Sequence, residues 1–225
     1  APSISATLQI LPRGPSTNLC LNSGFEEASN VPPPNSATFV GVTNWDGDFR
    51  TDLFQYPYRL PFNSDGTPRL PLQGSNYAGF ASQFFSGNGA FSGALTGRLA
   101  RPLQAGRYEI EGWFLRSSSS QAPEVGIEML LQTAQGNTLS LGQLAITNSA
   151  DWQQFRRTLV SSNSYDRLII RGAKAALQGN SFGYAYVDKL SLVRLTGINP
   201  SLAGISPQVI GPLQELVVAN RVTNS

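Results

Sequence analysis

Of the side chains best suited to general acid–base work or to holding a metal near neutral pH, this sequence of 225 residues has fourteen Asp and Glu and one cysteine; there is no histidine. That absence removes Ser-His-Asp and Cys-His nucleophile pairs and every His-ligated zinc site. Cys20 on its own forms neither an intrachain disulfide nor a thiolate zinc site, and in an apolar stretch it reads as a small buried hydrophobe. Three acidic pairs lie close in sequence: Asp46 with Asp48, Asp48 with Asp52, and Glu109 with Glu111. Glycoside hydrolysis needs two such carboxyl groups about 5–10 Å apart across a cleft, in surroundings that split their pKa values. Spacing along one loop or strand does not supply that, and no nucleophile, phosphate-loop or dinucleotide motif is present. The expectation is a protein that is not an enzyme, without nucleotide, haem or zinc. Asp46-Gly47-Asp48 is a fragment of a calcium loop, but the twelve-residue pattern with its terminal Glu is missing, and a turn explains it better.

Aromatic side chains are the second chemical resource. Pyranose rings stack their C–H faces on flat, conformationally stiff platforms. Candidates are Trp113, Trp152, Tyr56, Tyr58, Tyr77, Tyr184 and Tyr186. Tyr184 and Tyr186 stand two apart and so share a face of one strand. Trp113 alternates with Phe114 and shares its face with Glu109 and Glu111, which suits a glycan contact; a Trp at the centre of a strand also serves as core or lies beneath a loop. Trp45 and Trp152 read as structural.

The charge balance restricts partners. Sixteen Lys and Arg against fourteen Asp and Glu give +2, only 13% of residues are charged, and the calculated pI is about 8.9. No basic run offers a footprint for nucleic acid or an anionic membrane. No apolar stretch approaches the roughly 20 residues of a membrane span. The start, Ala1-Pro2-Ser3, has neither a basic nor an apolar leader region, and its small first residue fits either removal of an initiator Met or cleavage of a signal peptide.

The elements that must position these groups read as strands separated by Gly, Pro, Asn, Asp and Ser. Short extended segments are expected at 4–11, 17–21 and 38–45, with the Pro-rich 31–36 as loop and 46–75 as a long surface loop. A regular series follows at 76–84, 93–100, 106–116, 124–133, 138–146, 151–160, 165–171 and 182–195, with Gln135-Gly136-Asn137 as a tight hairpin. In 108–114, Tyr108, Ile110, Gly112 and Phe114 share one side. Ser117 to Ser120 reads as a polar hairpin tip. Spacing of this kind without a clear amphipathic helix argues for an all-β, antiparallel jelly-roll sandwich over 17–195, after an N-terminal extension at 1–16. Only the stretch from Pro212 is a helix candidate. Residues 196–225 form a C-terminal arm rich in Gly and Pro yet apolar, with Glu215 and Arg221 as its charges. Ile198, Leu202, Ile205, Val209, Ile210, Leu213 and Leu216 are its candidate partner-binding side chains. The arm either folds back over its own sandwich or packs on a neighbouring subunit.

Three stretches resemble the galactose-binding-like, carbohydrate-binding jelly rolls of bacterial glycoside hydrolases and surface proteins. Asn18-Leu-Cys-Leu-Asn-Ser-Gly-Phe-Glu26 is similar to their opening motif. Tyr77-Ala-Gly-Phe80 with Leu95 to Tyr108 is similar to the passage into their central strand. Tyr184-Ala-Tyr-Val-Asp-Lys-Leu-Ser-Leu192 is similar to their closing strand. The resemblance implies a calcium ion held by Glu26 and Asp188 where the first and last strands meet, since carboxylate and carbonyl oxygens suit that ion. It departs at Lys189, where relatives often carry a second Asp. Either the ammonium weakens the site or the strand points it away. The glycan-facing set expected from the aromatic residues is Trp113, Tyr184, Tyr186 and Tyr77. Because this fold hosts binding, adhesion and structural roles, two functions are expected. One is a non-catalytic structural or attachment component of a large assembly, such as a phage capsid decoration, a tail part or a surface appendage, which would place it in a virion. The other is a calcium-dependent carbohydrate-binding module of a secreted protein, at the cell surface or outside the cell.

Overall fold

A computed structural model describes residues 17–29, 39–48, 50–57, 60–61, 68–85, 89–118, 120, 124–173 and 182–195. All of them belong to one compact unit, Arg13–Gly197. The extension at 1–16, the segment at 4–11, the loop at 31–36, Tyr58, the helix candidate from Pro212 and the whole arm at 196–225, with Ile198, Leu202, Ile205, Val209, Ile210, Leu213 and Leu216, lie outside the described residues.

The chain forms two antiparallel sheets from β1 (Trp45–Gly47), β2 (Thr51–Gln55), β3 (Asn76–Phe85), β4 (Gly89–Ser92), β5 (Ala94–Arg98), β6 (Gly106–Arg116), β7 (Val125–Gln132), β8 (Thr138–Ile146), β9 (Gln153–Ser161), β10 (Arg167–Ala173) and β11 (Phe182–Arg194). One sheet runs β1-β5-β10-β7-β8. The other runs β2-β3-β11-β6-β9, with β4 paired to β3. This is the sandwich that the strand spacing points to: most strands alternate, and the apolar sides of both sheets close on one core. In β6, Tyr108, Ile110, Gly112 and Phe114 are buried inward while Glu109, Glu111 and Trp113 remain partly exposed. β7 and β8 meet through the hairpin at Gln135-Gly136-Asn137, where Gly136 takes φ of 88°.

The expected loop at 46–75 needs correction. It contains the end of β1 and all of β2, whose Leu53 fills the core and whose Phe54 points outward. Five residues between Asp48 and the Tyr56-Pro57 turn were masked by the surrounding charges and prolines. The strand expected at 17–21 is also shorter than its sequence suggests. Only Cys20 bridges to Leu99; the segment is also tied by backbone bonds from the Leu19 N–H to the Leu192 carbonyl and from the Ala100 N–H to the Leu19 carbonyl, and by the Asn18 side chain. The Asn18 amide carbonyl accepts the Leu192 N–H at 2.9 Å and its nitrogen donates to the Leu190 carbonyl at 3.0 Å. The opening motif is thus stitched to the closing strand. Cys20 is buried, and desolvation pushes its thiol up to about 12.

Candidate functional site

The outward face of the β2-β3-β11-β6-β9 sheet collects the aromatic residues. Register places Tyr184 opposite Ala81, Tyr186 opposite Gly79 and Leu115, and Asp188 opposite Trp113; alternation puts Tyr77 and Phe54 on the same side. Half of this face is closed. Phe54, Tyr77, Leu115 and Tyr186 form a second apolar cluster, with Leu60, Trp152 and Tyr184 packed against it. The Tyr77 hydroxyl donates to the Arg69 carbonyl at 3.0 Å, and the Arg69 guanidinium lies 5.9 Å from the Tyr186 ring centre. The Tyr186 hydroxyl donates to Ser117 Oγ at 3.0 Å. Burial pushes the ionisation of both phenols up. Tyr77 and Tyr186 are therefore a structural floor. Ser117 and Ser120, expected at an exposed hairpin tip, are buried and hold the β11 backbone: Ser120 Oγ accepts the Tyr184 N–H at 2.9 Å.

The open half offers Trp113 and Tyr184, both half-buried. Trp113 Nε1 donates to Glu111 Oε1 at 3.1 Å, and the Lys189 ammonium stands 6.0 Å from its ring centre. Tyr184 donates a short hydrogen bond to Asp52 Oδ2. Gln154 lies opposite Trp113, and Arg156, opposite Glu111, forms an ion pair with Glu109 at 2.7 Å. This surface presents one flat ring fixed in orientation, bordered by carboxylates and an amide. Trp45 is core, its Nε1 donating to the Leu21 carbonyl at 2.9 Å. Tyr56 is exposed on the turn after β2, away from any ring contact among the described residues. Asp52 and Ser117 had weak signals in the sequence, because each lies in a stretch that composition marks as loop.

Glu26 and Asp188 do come together. A β-carbon at Gly24 would stand 3.8 Å from both Asp188 Oδ1 and Glu26 Oε1. Asp188 is fully buried; its Oδ2 accepts the N–H groups of Leu72 and Gln73 at 2.8 and 3.0 Å, and its Oδ1 accepts that of Lys189 at 2.6 Å. Glu26 is exposed and accepts the N–H groups of Ser75 and Asn76, each at 3.0 Å. Gly74 takes φ of 68°, and a side chain there would collide with the Glu26 carboxylate. The two acids thus clasp residues 72–76 against the end of β11. Desolvation raises the Asp188 carboxyl to about 6; three backbone N–H groups oppose that shift and the Glu26 charge adds to it. Beside the clasp lies a cavity of about 290 Å³ lined by Asn22, Ser23, Gly24, Glu26, Glu27, Gln73 and Gly74.

Calcium takes carboxylate and carbonyl oxygens; of the two acids Glu26 lines this cavity, while Asp188 lies behind it with both oxygens already accepting backbone N–H groups. Among the described residues no third Asp, Glu, His or Cys joins them, so carbonyl, amide and water oxygens would complete the shell. Lys189 does not intrude. A bulge between Asp188 and Ser191 and a left-handed φ of 50° at Lys189 turn its side chain toward Trp113. Asp48, in the suspected calcium-loop fragment, is a turn residue whose carboxylate accepts the N–H groups of Arg50 and Ala94, both at 3.0 Å.

The sequence matches no family model and no curated protein. Solved structures share the fold. A family 61 carbohydrate-binding module in complex with beta-1,4-galactotriose is 18% identical, with a TM-score of 0.50 over 80% of this chain and 100% of that one. A Stig cyclase from Fischerella sp. TAU, in complex with an indole compound, is 15% identical, with a TM-score of 0.50 over 79% of this chain and 97% of that one. A family 16 carbohydrate-binding module is 12% identical, with a TM-score of 0.45 over 79% of this chain and 100% of that one. The fold is that of the carbohydrate-binding jelly rolls. It has also been used around an indole, so the architecture alone does not assign an activity.

Proposed function

We propose that this chain is a non-catalytic attachment module. It holds a carbohydrate on the outward face of the β2-β3-β11-β6-β9 sheet and couples that grip to a larger assembly, such as a phage capsid decoration, a tail part or a surface appendage. The observation that carries the reading is the setting of Trp113. Its ring is half-exposed, oriented by Glu111 and flanked by Lys189 and Gln154, which is what stacking a sugar ring and bonding its hydroxyls requires. Support for the absence of catalysis comes from the acids. Asp48 caps a turn, Glu109 pairs with Arg156, Glu111 holds Trp113, and Asp188 is shut in by three N–H donors. The fold shared with a module bound to a galactotriose supports the ligand class.

Retention on immobilised neutral polysaccharides tests this. Wild-type protein is expected to be retarded by at least one of them, and Trp113→Ala to lose that retardation while melting as before. Unchanged retention in the variant overturns the site. The assembly half rests on the apolar side chains between Ile198 and Leu216. Deleting residues 197–225 is expected to leave the sandwich folded and abolish association; loss of stability with association intact favours the second reading, a secreted carbohydrate-binding module. Calcium at Glu26 and Asp188 is part of both readings; the approach of the two carboxylates around Gly24 supports it, with the cavity reaching only Glu26 of the two.

A further inference from the structure

Two arginines face each other on the outward face of the other sheet, without a counter-ion among the described residues. Arg98 on β5 is the direct register partner of Arg167 on β10. Side chains so opposed stand roughly 4.5–5.5 Å apart at their β-carbons, and like charges there repel. Arg98 is exposed and Arg167 half-buried, and among the described residues neither has an ion pair or a side-chain hydrogen bond. The contrast is on the same strand and face. Arg171 donates to Glu128 Oε2 at 3.0 and 2.7 Å, and Ser140 braces that carboxylate at 2.8 Å. The sheet neutralises one arginine and leaves two together. Their row continues through Gln132, opposite Arg167, to Thr138, opposite Gln132: an amide and a hydroxyl, with no acid. Asp46, outward in the next row opposite Thr96, makes no ion pair with them. Nor does Asp166, whose Oδ1 is buried without a partner.

We infer that this row is an oxyanion site. Arg98 and Arg167 grip one carboxylate or sulfate group of an acidic polysaccharide, and Gln132 and Thr138 bond the hydroxyls beside it. Guanidinium forks match planar carboxylates and sulfate oxygens through paired N–H donors, and an anion between them removes the repulsion that the empty pair carries. A short row flanked by neutral polar groups suits anions set at intervals on a hydroxyl-rich polymer. A net charge of +2 with 13% charged residues provides no broad field for a nucleic acid duplex or a lipid surface. The polymer's being a carbohydrate rests on the reading above; the oxyanion grip itself does not.

The test is affinity electrophoresis of the full chain through gels containing polygalacturonate, dextran sulfate or neutral dextran, with duplex DNA and phosphatidylserine vesicles as competitors. Retardation by polygalacturonate assigns the group as carboxylate, and by dextran sulfate as sulfate. In either case salt should weaken it, and Arg98→Gln with Arg167→Gln should weaken it about tenfold or more. The single variant Arg98→Gln repeats the measurement if the double variant fails to fold. Retention on neutral polysaccharide should be untouched by these changes, which separates this site from the Trp113 face: loss of neutral binding alone sinks the earlier reading and leaves this one. No retardation by either polyanion, retardation indifferent to both arginines, or equal displacement by DNA or vesicles overturns the inference.

Discussion

The Tyr184 ring crosses the backbone of Gly79 to reach the Asp52 carboxylate two strands away. Gly79 is the register partner of Asp52 on one side and Tyr186 on the other. A β-carbon at Gly79 would lie 2.7 Å from the Tyr184 hydroxyl, 2.6 Å from Cε1 and 2.8 Å from the Phe54 ring. Three strands are therefore tied across the aromatic face by one phenol, and that tie exists because the middle strand has no side chain there.

Gly79→Ala should break this arrangement. Both rings must move to admit the methyl group, so a cost of about 1–3 kcal/mol is expected from overpacking. Tyr184→Phe keeps the ring and removes the bond to Asp52, costing about 1.5–3 kcal/mol. Urea titration measures both. A Gly79→Ala protein as stable as wild type would show that the ring does not lie over Gly79.

Much of this architecture was legible in the chain. Alternation in 106–116 and 138–146 locates β6 and β8 at their observed ends, because one face of each is apolar and the other polar. β2 was hidden for the opposite reason: in Thr51-Asp52-Leu53-Phe54-Gln55 both faces are buried in part, Leu53 in the core and Phe54 in the outward cluster, so no clean period survives. The site divides in the same way. Asp188 with Glu26 could be paired from motif order, and Tyr184 with Tyr186 from their spacing. That Tyr77 and Tyr186 would be roofed while Trp113 stayed open depends on where Arg69 and Leu60 fold back, which no local pattern records.

Asp188→Ala should be among the more damaging single changes on this sheet. It strands the N–H groups of Leu72, Gln73 and Lys189, and unpaired donors cost about 1–3 kcal/mol each where water does not reach them. Since Leu72 and Gln73 are partly open to solvent, a net loss of about 2–4 kcal/mol is expected. Hydrogen exchange should speed up at residues 72–76 before the rest of the sheet responds. Unchanged protection there would mean that the loop is held by other contacts.

Glu111→Gln separates orientation from charge at the candidate glycan face. The amide oxygen still accepts from Trp113 Nε1, so the ring keeps its pose and the fold its stability. If Glu111 also bonds sugar hydroxyls as a carboxylate, retention on neutral polysaccharide should fall about three- to tenfold, since charge-assisted bonds are roughly twice as strong as neutral ones. Equal retention by Glu111→Gln and wild type would restrict Glu111 to holding the ring.

Calcium is tested by taking it away. A ligand that binds only the native state stabilises it by about 2.7 kcal/mol at a hundred times its Kd. For a chain of this size each kcal/mol corresponds to about 2–4 °C, so EDTA should lower the Tm by about 5–10 °C, and added calcium should restore it. Glu26→Gln and Asp188→Asn should each be less stable than wild type and nearly indifferent to EDTA, because the ligand set is already incomplete. The two effects must appear together. A wild-type melt unmoved by EDTA, with both variants still destabilised, would leave Glu26 and Asp188 as acceptors for the N–H groups of residues 72–76 and 189 and nothing more, a clasp that closes the end of β11 without metal.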